Sequence, residues 1–174
     1  HASTGLERYE EPADIQRSER RDGNHLIQTV RTPSGELDVV YTEIWEGDKL
    51  KNRRISEFPV KEPRDVRVLI DLVDREQFRP NVDKFREAEA RVGHRAEPTL
   101  FTSSSGFTEI IKRWAGLVQT YYLLHDSPLV IEEYLEACDR RDDRLFDAAL
   151  QLPCKLFNLG DHATNEFTPP PILE

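Results

Sequence analysis

Pro98-Thr99-Leu100-Phe101-Thr102 runs directly into Ser103-Ser104-Ser105-Gly106, and Cys154-Lys155-Leu156-Phe157-Asn158-Leu159 runs into Gly160-Asp161-His162. Each is a short apolar run followed by a small, polar turn, which reads as a buried strand and the loop behind it. Between them lie a helix over about 107–117 and a longer one led by Ser127 and Pro128, the first a good N-cap and the second a residue suited to the first helical position. Strand, helix and strand in this order predict a parallel pair, because parallel neighbours need a long crossover. In parallel α/β folds, ligands bind beyond the carboxyl ends of the strands. Ser103, Ser104 and Ser105 at one end are therefore candidate ligand-binding residues. Asp161 and His162 at the other are candidate catalytic residues, with Asn165 and Glu166 just downstream as further ligand contacts.

The chemistry behind those assignments is simple. Serine hydroxyls and loop amides donate to a polar ligand, and a carboxylate beside an imidazole can orient or move a proton near neutrality. Neighbouring residues on one strand face opposite sides, so Asp161 and His162 converge only if the chain turns at Gly160. A loop hydrogen bond is the alternative role for Asp161.

Upstream, residues 1–24 are polar and charged, with Arg17, Arg20 and Arg21 clustered, and are expected to form an extended, solvated arm. From His25 the chain becomes β-branched and apolar. His25–Thr32, the turn Pro33-Ser34-Gly35-Glu36 and Leu37–Glu43 predict a β-hairpin. A third strand is expected over 54–60. Pro63 opens a helix carrying Val66, Leu69, Ile70 and Val73 on one face, and Pro80 opens another that stops at Gly93. On the long helix, Ile131, Tyr134, Leu135, Cys138, Leu145, Phe146 and Ala149 form the apolar stripe. The mixed run Asp139–Arg144 reads as its solvated face. Residues 25–174 are expected to form one structural unit after the arm.

Composition bounds the function. The 174 residues carry 24 Lys and Arg against 33 Asp and Glu, a net charge of -9. This argues against wrapping nucleic acid or docking on anionic lipid, both of which need a basic surface. No apolar run approaches the roughly 20 residues of a membrane span, and a cytoplasmic location is expected. Cys138 and Cys154 read as small buried hydrophobes, with no ligand spacing around them and no metal assigned. Phosphate-loop, dinucleotide, HExxH and GxSxG patterns are absent. His25, His94 and His125 are scattered. Arg113 and Trp114 read either as a cation and aromatic facing a ligand or, more simply, as a helix-surface ion pair and a core aromatic.

The order of these segments resembles the uroporphyrinogen decarboxylase (URO-D) superfamily. The residues that carry the likeness are Thr32-Pro33-Ser34-Gly35-Glu36-Leu37, Phe58-Pro59-Val60 with Asp65, the Ser-Ser-Ser-Gly loop, Ala115-Gly116-Leu117-Val118, His125-Asp126-Ser127-Pro128, Leu159-Gly160-Asp161-His162 and Thr168-Pro169-Pro170-Pro171. The resemblance covers about residues 28–174. It implies the amino-terminal half of a (β/α)8 TIM barrel, preceded by a β-hairpin extension. A whole barrel takes about 250 residues, so the chain is expected to be part of one, and inactive alone. The His1 start fits that expectation, and the absence of Met has no explanation in it.

Within the family, the hairpin resembles the methyltransferase-like branch. The Arg- and Gly-containing motif by which the haem-pathway decarboxylases grip substrate carboxylates is missing. The resemblance thus implies corrinoid-linked methyl transfer. Zinc, with a corrinoid methyl donor, would act in the full protein through ligands that follow Glu174. The substrate would be a small molecule or a corrinoid protein. One alternative is decarboxylation of uroporphyrinogen or a related tetrapyrrole without a cofactor. Another is a non-catalytic half-barrel module that assembles as a homo-oligomer through open strand edges.

Overall fold

The computed structural model describes residues 5–10, 14–102 and 104–161. The chain is a mixed α/β molecule in which antiparallel strands come first and helices follow. Strands β1 (Leu6–Glu10), β2 (Gln16–Asp22), β3 (His25–Thr32), β4 (Gly35–Glu46) and β5 (Lys49–Glu57) precede helix α1 (Pro63–Asp74). Next come β6 (Glu76–Pro80), α2 (Val82–Val92) and β7 (Thr99–Phe101). Then follow α3 (Gly106–Glu109), a π-helical turn (Ile110–Trp114), α4 (Gly116–Asp126), α5 (Pro128–Ala149) and β8 (Leu156–Asn158).

Strands β2 to β5 form an antiparallel meander in chain order. The predicted hairpin is β3 and β4, with Val30 opposite Leu37 and Thr32 opposite Gly35. Its turn is tied to α1: the Ser34 amide donates to Thr32 Oγ1 at 3.1 Å and to Asp71 Oδ2 at 3.3 Å. Gly35 has φ +146°, and a Cβ there would meet Val68 Cγ2 at 2.8 Å, so only glycine lets the turn sit down on the helix. Helix α1 starts at Pro63, as read. The Asp65 carboxylate accepts from the amides of Lys61 and Glu62, at 2.9 and 3.1 Å, which satisfies donors the first turn leaves open.

Two apolar clusters hold the molecule. The first joins Val30 and Leu37 of the sheet to Val66, Leu69 and Val73 of α1, Ile110 of the π-turn and Ile131 and Tyr134 of α5. The second joins Leu6, Phe85, Leu100, Leu145 and Ala149. Helix α5 serves both, its first half in one cluster and its second half in the other.

Several expectations are corrected here. The polar stretch 1–24 is no free arm: β2 adds an edge to the hairpin, and β1 pairs antiparallel with β6, where Arg8 forms an ion pair with the buried Glu76. The third strand covers 49–57 rather than 54–60, and Pro80 ends β6 rather than opening α2. The helix expected over 107–117 is broken into α3 and a π-turn. There the Ala115 amide reaches back to the Ile110 carbonyl at 2.7 Å, and α4 begins afresh at Gly116 with φ +77°. His125 and Asp126 form the last turn of α4. Ser127 occupies the N-cap position of α5, but its hydroxyl makes no capping bond. Strand β8 is exposed rather than buried.

The parallel pair is as predicted: β7 and β8 run together, joined by the helices between them, with Leu100 opposite Phe157. It is the one parallel pair among the described residues, and the other sheets are antiparallel, so no barrel is formed there. No helix among the described residues is long and apolar enough to cross a membrane.

Candidate functional site

The carboxyl ends of β7 and β8 lie side by side, and hydrogen bonds stitch them together. The Thr102 amide donates to the Asn158 carbonyl at 3.0 Å, and the Ser104 hydroxyl donates to the Gly160 carbonyl at 2.6 Å. Asp161 Oδ1 accepts from the Ser105 amide at 3.2 Å and from the Ser105 hydroxyl at 3.0 Å. The Ser105 hydroxyl oxygen also receives the Thr108 amide at 3.4 Å, which makes Ser105 the N-cap of α3. The structure thus brings Ser104, Ser105 and Asp161, expected at two strand ends, to one place. Ser103, His162, Asn165 and Glu166 lie outside the described residues.

Helix α5 supports this corner from below. The Tyr134 hydroxyl donates to the Gly106 carbonyl at 3.1 Å. A Cβ on Gly106 would stand 2.7 Å from both Cβ and Sγ of Cys138, so the loop rests directly on the cysteine. Burial pushes the Cys138 thiol up to about 11 and raises Tyr134 well above its ordinary value. Both side chains are buried packing elements of the first cluster, as expected of Cys138. Cys154 is half-buried, with its thiol 3.1 Å from the Leu156 carbonyl.

A cavity of about 190 Å³ opens beside Asp161, walled by Thr102, Ser105, Leu145, Phe146, Leu159 and one residue the sequence did not single out, Asp142. Asp142 comes from the run assigned to a solvated face. That assignment fails in its middle: Arg141 is fully buried, donating to Glu109 at 2.5 Å and to Asp142 at 2.8 Å. Burial works against the guanidinium's charge, but Glu109 and Asp142 outweigh it and keep Arg141 more firmly protonated than usual. The Asp142 carboxyl is held above its ordinary value, chiefly by burial, with Arg141 offsetting part of the rise. The signal was present in the spacing, since Tyr134, Cys138, Arg141, Leu145 and Ala148 recur at four, three, four and three and all are buried.

The cavity therefore offers two carboxyl groups of different character. Asp161 is exposed and fixed by two donors from Ser105. Asp142 is half-buried and accepts from Arg141. Both can accept hydrogen bonds from a polar ligand in the cavity, and carboxyl groups so placed can take part in proton transfer. Among the described residues no group of three or more His, Cys, Asp or Glu side chains is arranged to hold a metal ion.

Arg113 and Trp114 stand apart from this corner. The Arg113 guanidinium lies 5.4 Å from the Trp114 ring centroid and 4.0 Å from Glu109, and Trp114 packs against the first apolar cluster. Both the ion-pair and the core readings of these residues hold. No family model, curated protein or solved structure matches this chain.

Proposed function

We propose that the chain is the amino-terminal part of a URO-D-superfamily barrel enzyme, that β7 and β8 are two of its barrel strands, and that the reaction is corrinoid-linked methyl transfer. The observation that carries this reading is the hydrogen-bonded junction of Ser105 and Asp161 across the carboxyl ends of a parallel pair, beside a cavity. That is the end of a parallel β/α unit at which ligands bind. The exposed β7–β8 apolar residues add support, because Phe101, Leu156, Phe157 and Leu159 are 55, 49, 41 and 60% exposed and barrel strands are covered on both faces. The hairpin turn at Thr32–Gly35 supports the methyltransferase-like branch.

In this reading a sulfur–carbon bond forms at an acceptor thiol as the methyl carbon's bond to its carrier breaks, the electron pair staying with the carrier. The thiol proton must leave, and Asp161 is the accessible carboxylate to take it. Asp142, on the wall of the same cavity, holds a polar group of the acceptor through its carboxyl oxygens. The described residues offer no zinc site, so activation of the thiol by a metal is assigned to none of them.

The test uses the complete gene product that contains this sequence, assayed for transfer from methylcobalamin to a small thiol. Turnover that falls about a hundredfold in Asp161→Asn and Asp142→Asn supports the proposal. Absence of transfer, or turnover of uroporphyrinogen instead, rejects it in favour of decarboxylation.

The same exposed apolar residues favour a second reading, an assembly module that pairs through the β7–β8 edge. It requires a dimer or larger species in light scattering, and a monodisperse monomer without dye-binding surface rejects it.

A further inference from the structure

The cavity between α5 and the carboxyl ends of β7 and β8 has a wall whose chemistry selects a class of ligand. Asp142, Leu145 and Phe146 stand at i, i+3 and i+4 on α5, so they share the face that the helix turns to the cavity. Thr102 and Ser105 follow β7, and Leu159 and Asp161 follow β8. The wall thus combines two carboxyl groups with three large apolar side chains. No Lys, Arg or His is among the described residues that line it.

Both carboxyl groups keep an oxygen to spare. Asp161 accepts from the Ser105 amide and hydroxyl through Oδ1, and Asp142 accepts from Arg141 through Oδ1. Among the described residues nothing donates to Oδ2 of either. The Ser105 donors are neutral, so the charge of Asp161 meets no cation among the described residues. Arg141 stands behind Asp142, but Glu109 shares its single positive charge. Arg113 comes only within 4.0 Å of Glu109 and is not part of the wall. Three carboxylates against these two guanidinium groups leave the corner negative.

The apolar part of the wall is also open. Phe146 and Leu159 are exposed. Arginines lie on the rings of Tyr9, Tyr41, Trp45 and Trp114, and among the described residues none lies on Phe146. An aromatic ring beside a carboxylate suits an organic cation. A volume of about 190 Å³ is below that of pockets for drug-sized molecules and fits a ligand of a few heavy atoms.

We propose that this cavity binds a primary ammonium group on a short alkyl chain. The ammonium N–H groups donate to the spare oxygens of Asp161 and Asp142, and the chain lies against Leu145, Phe146 and Leu159. The proposal concerns binding by this chain alone, so failure of the barrel reading or of methyl transfer leaves it standing.

The probe is n-butylammonium, titrated at constant pH and ionic strength into the isotopically labelled chain and followed by amide correlation spectra. The controls are n-butanol, its neutral isostere, and methylammonium, the cation without the chain. The expected result is saturable shifts at Ser105, Leu145, Phe146 and Asp161, with binding about tenfold or more tighter than that of either control. Asp161→Asn keeps the acceptor for Ser105 and removes the charge, and should weaken binding about tenfold. Phe146→Leu keeps an apolar wall and removes the ring, and should weaken it about threefold. Both side chains are exposed, and unchanged spectra elsewhere verify that each variant is folded. Shifts confined to the β2–β5 meander, n-butanol binding as tightly as the cation, an unaffected Asp161→Asn variant, or no saturation by about 50 mM would each overturn the proposal.

Discussion

Arg141 Nη1 lies 2.5 Å from Glu109 Oε2, with the two side chains 0 and 7% exposed. The pair joins the middle of α5 to the end of α3, so it ties the long crossover helix to the loop that carries Ser105. Removing the arginine leaves Glu109 buried with only the more distant Arg113, 4.0 Å away, as counter-charge, and releases Asp142. Arg141→Met is expected to cost about 3–5 kcal/mol in urea unfolding, and the double variant Arg141→Met/Glu109→Leu to cost clearly less. A double variant as unstable as the single one would show that packing, not charge pairing, sets the cost.

Gly106 is the next constraint on the same loop. An alanine methyl would overlap Cys138, whose Cβ and Sγ are both 2.7 Å away. Gly106→Ala is expected to destabilise by about 1–3 kcal/mol, since α5 cannot retreat without opening the core. Gly160→Ala, whose Cβ would stand 3.4 Å from the Thr102 carbonyl oxygen, should cost less. Thermal unfolding of the two variants side by side checks the order.

Ser105→Ala removes both the hydroxyl bond to Asp161 and the cap on Thr108. The expected loss is about 1 kcal/mol, with faster hydrogen exchange at the Thr108 amide. Unchanged exchange there would mean the cap contributes nothing.

The two thiols should separate in alkylation. Cys138 is buried with its thiol pushed up to about 11, while Cys154 is half-buried. Iodoacetamide at pH 8 is expected to modify Cys154 in the native chain and Cys138 only after unfolding. Mass spectrometry of the peptides decides, and native labelling of Cys138 would contradict the packing of α5 on Gly106.

Asp71 makes one limb of the pH dependence. Burial raises its carboxyl, but hydrogen bonds from Arg75, Thr32 and Ser34 outweigh that and hold it below the ordinary value of 3.8. A folded-state value below the unfolded one stabilises the protein above the ordinary carboxylate range, and the contribution disappears as pH falls through the lowered value. The stability gap between the native chain and Asp71→Asn should therefore be full near neutrality and shrink below about pH 4. Denaturant midpoints across that range test it.

Much of the site was legible before any coordinates because its parts are local. A short apolar run ending in small polar residues specifies a strand end by itself, and Ser105 followed by a helix specifies a cap. The convergence of Ser105 and Asp161 followed from the parallel order that the helical crossover demands. Asp142 was missed because charge was read from the run Asp139–Arg144 as a whole. The three- and four-residue spacing that continues through Arg141 turns that position inward, and Asp142 follows it to the cavity wall.

The sequence alone determined what depends on the backbone of a few residues. That includes the hairpin around Ser34 and Gly35, the start of α1 at Pro63, the break at Gly93, the start of α5 after Ser127 and the two strands that carry the candidate site. Tertiary structure decided what depends on partners far apart along the chain. Glu109 and Arg141 are 32 residues apart and Arg8 and Glu76 are 68 apart, so no local pattern shows that these charges meet. The same holds for the arginine-rich stretch around Arg17, polar enough to read as a free arm and yet the edge strand of the meander. A strand edge offers backbone donors and acceptors whatever its side chains are, and only the folded hairpin presents the edge that draws β2 in.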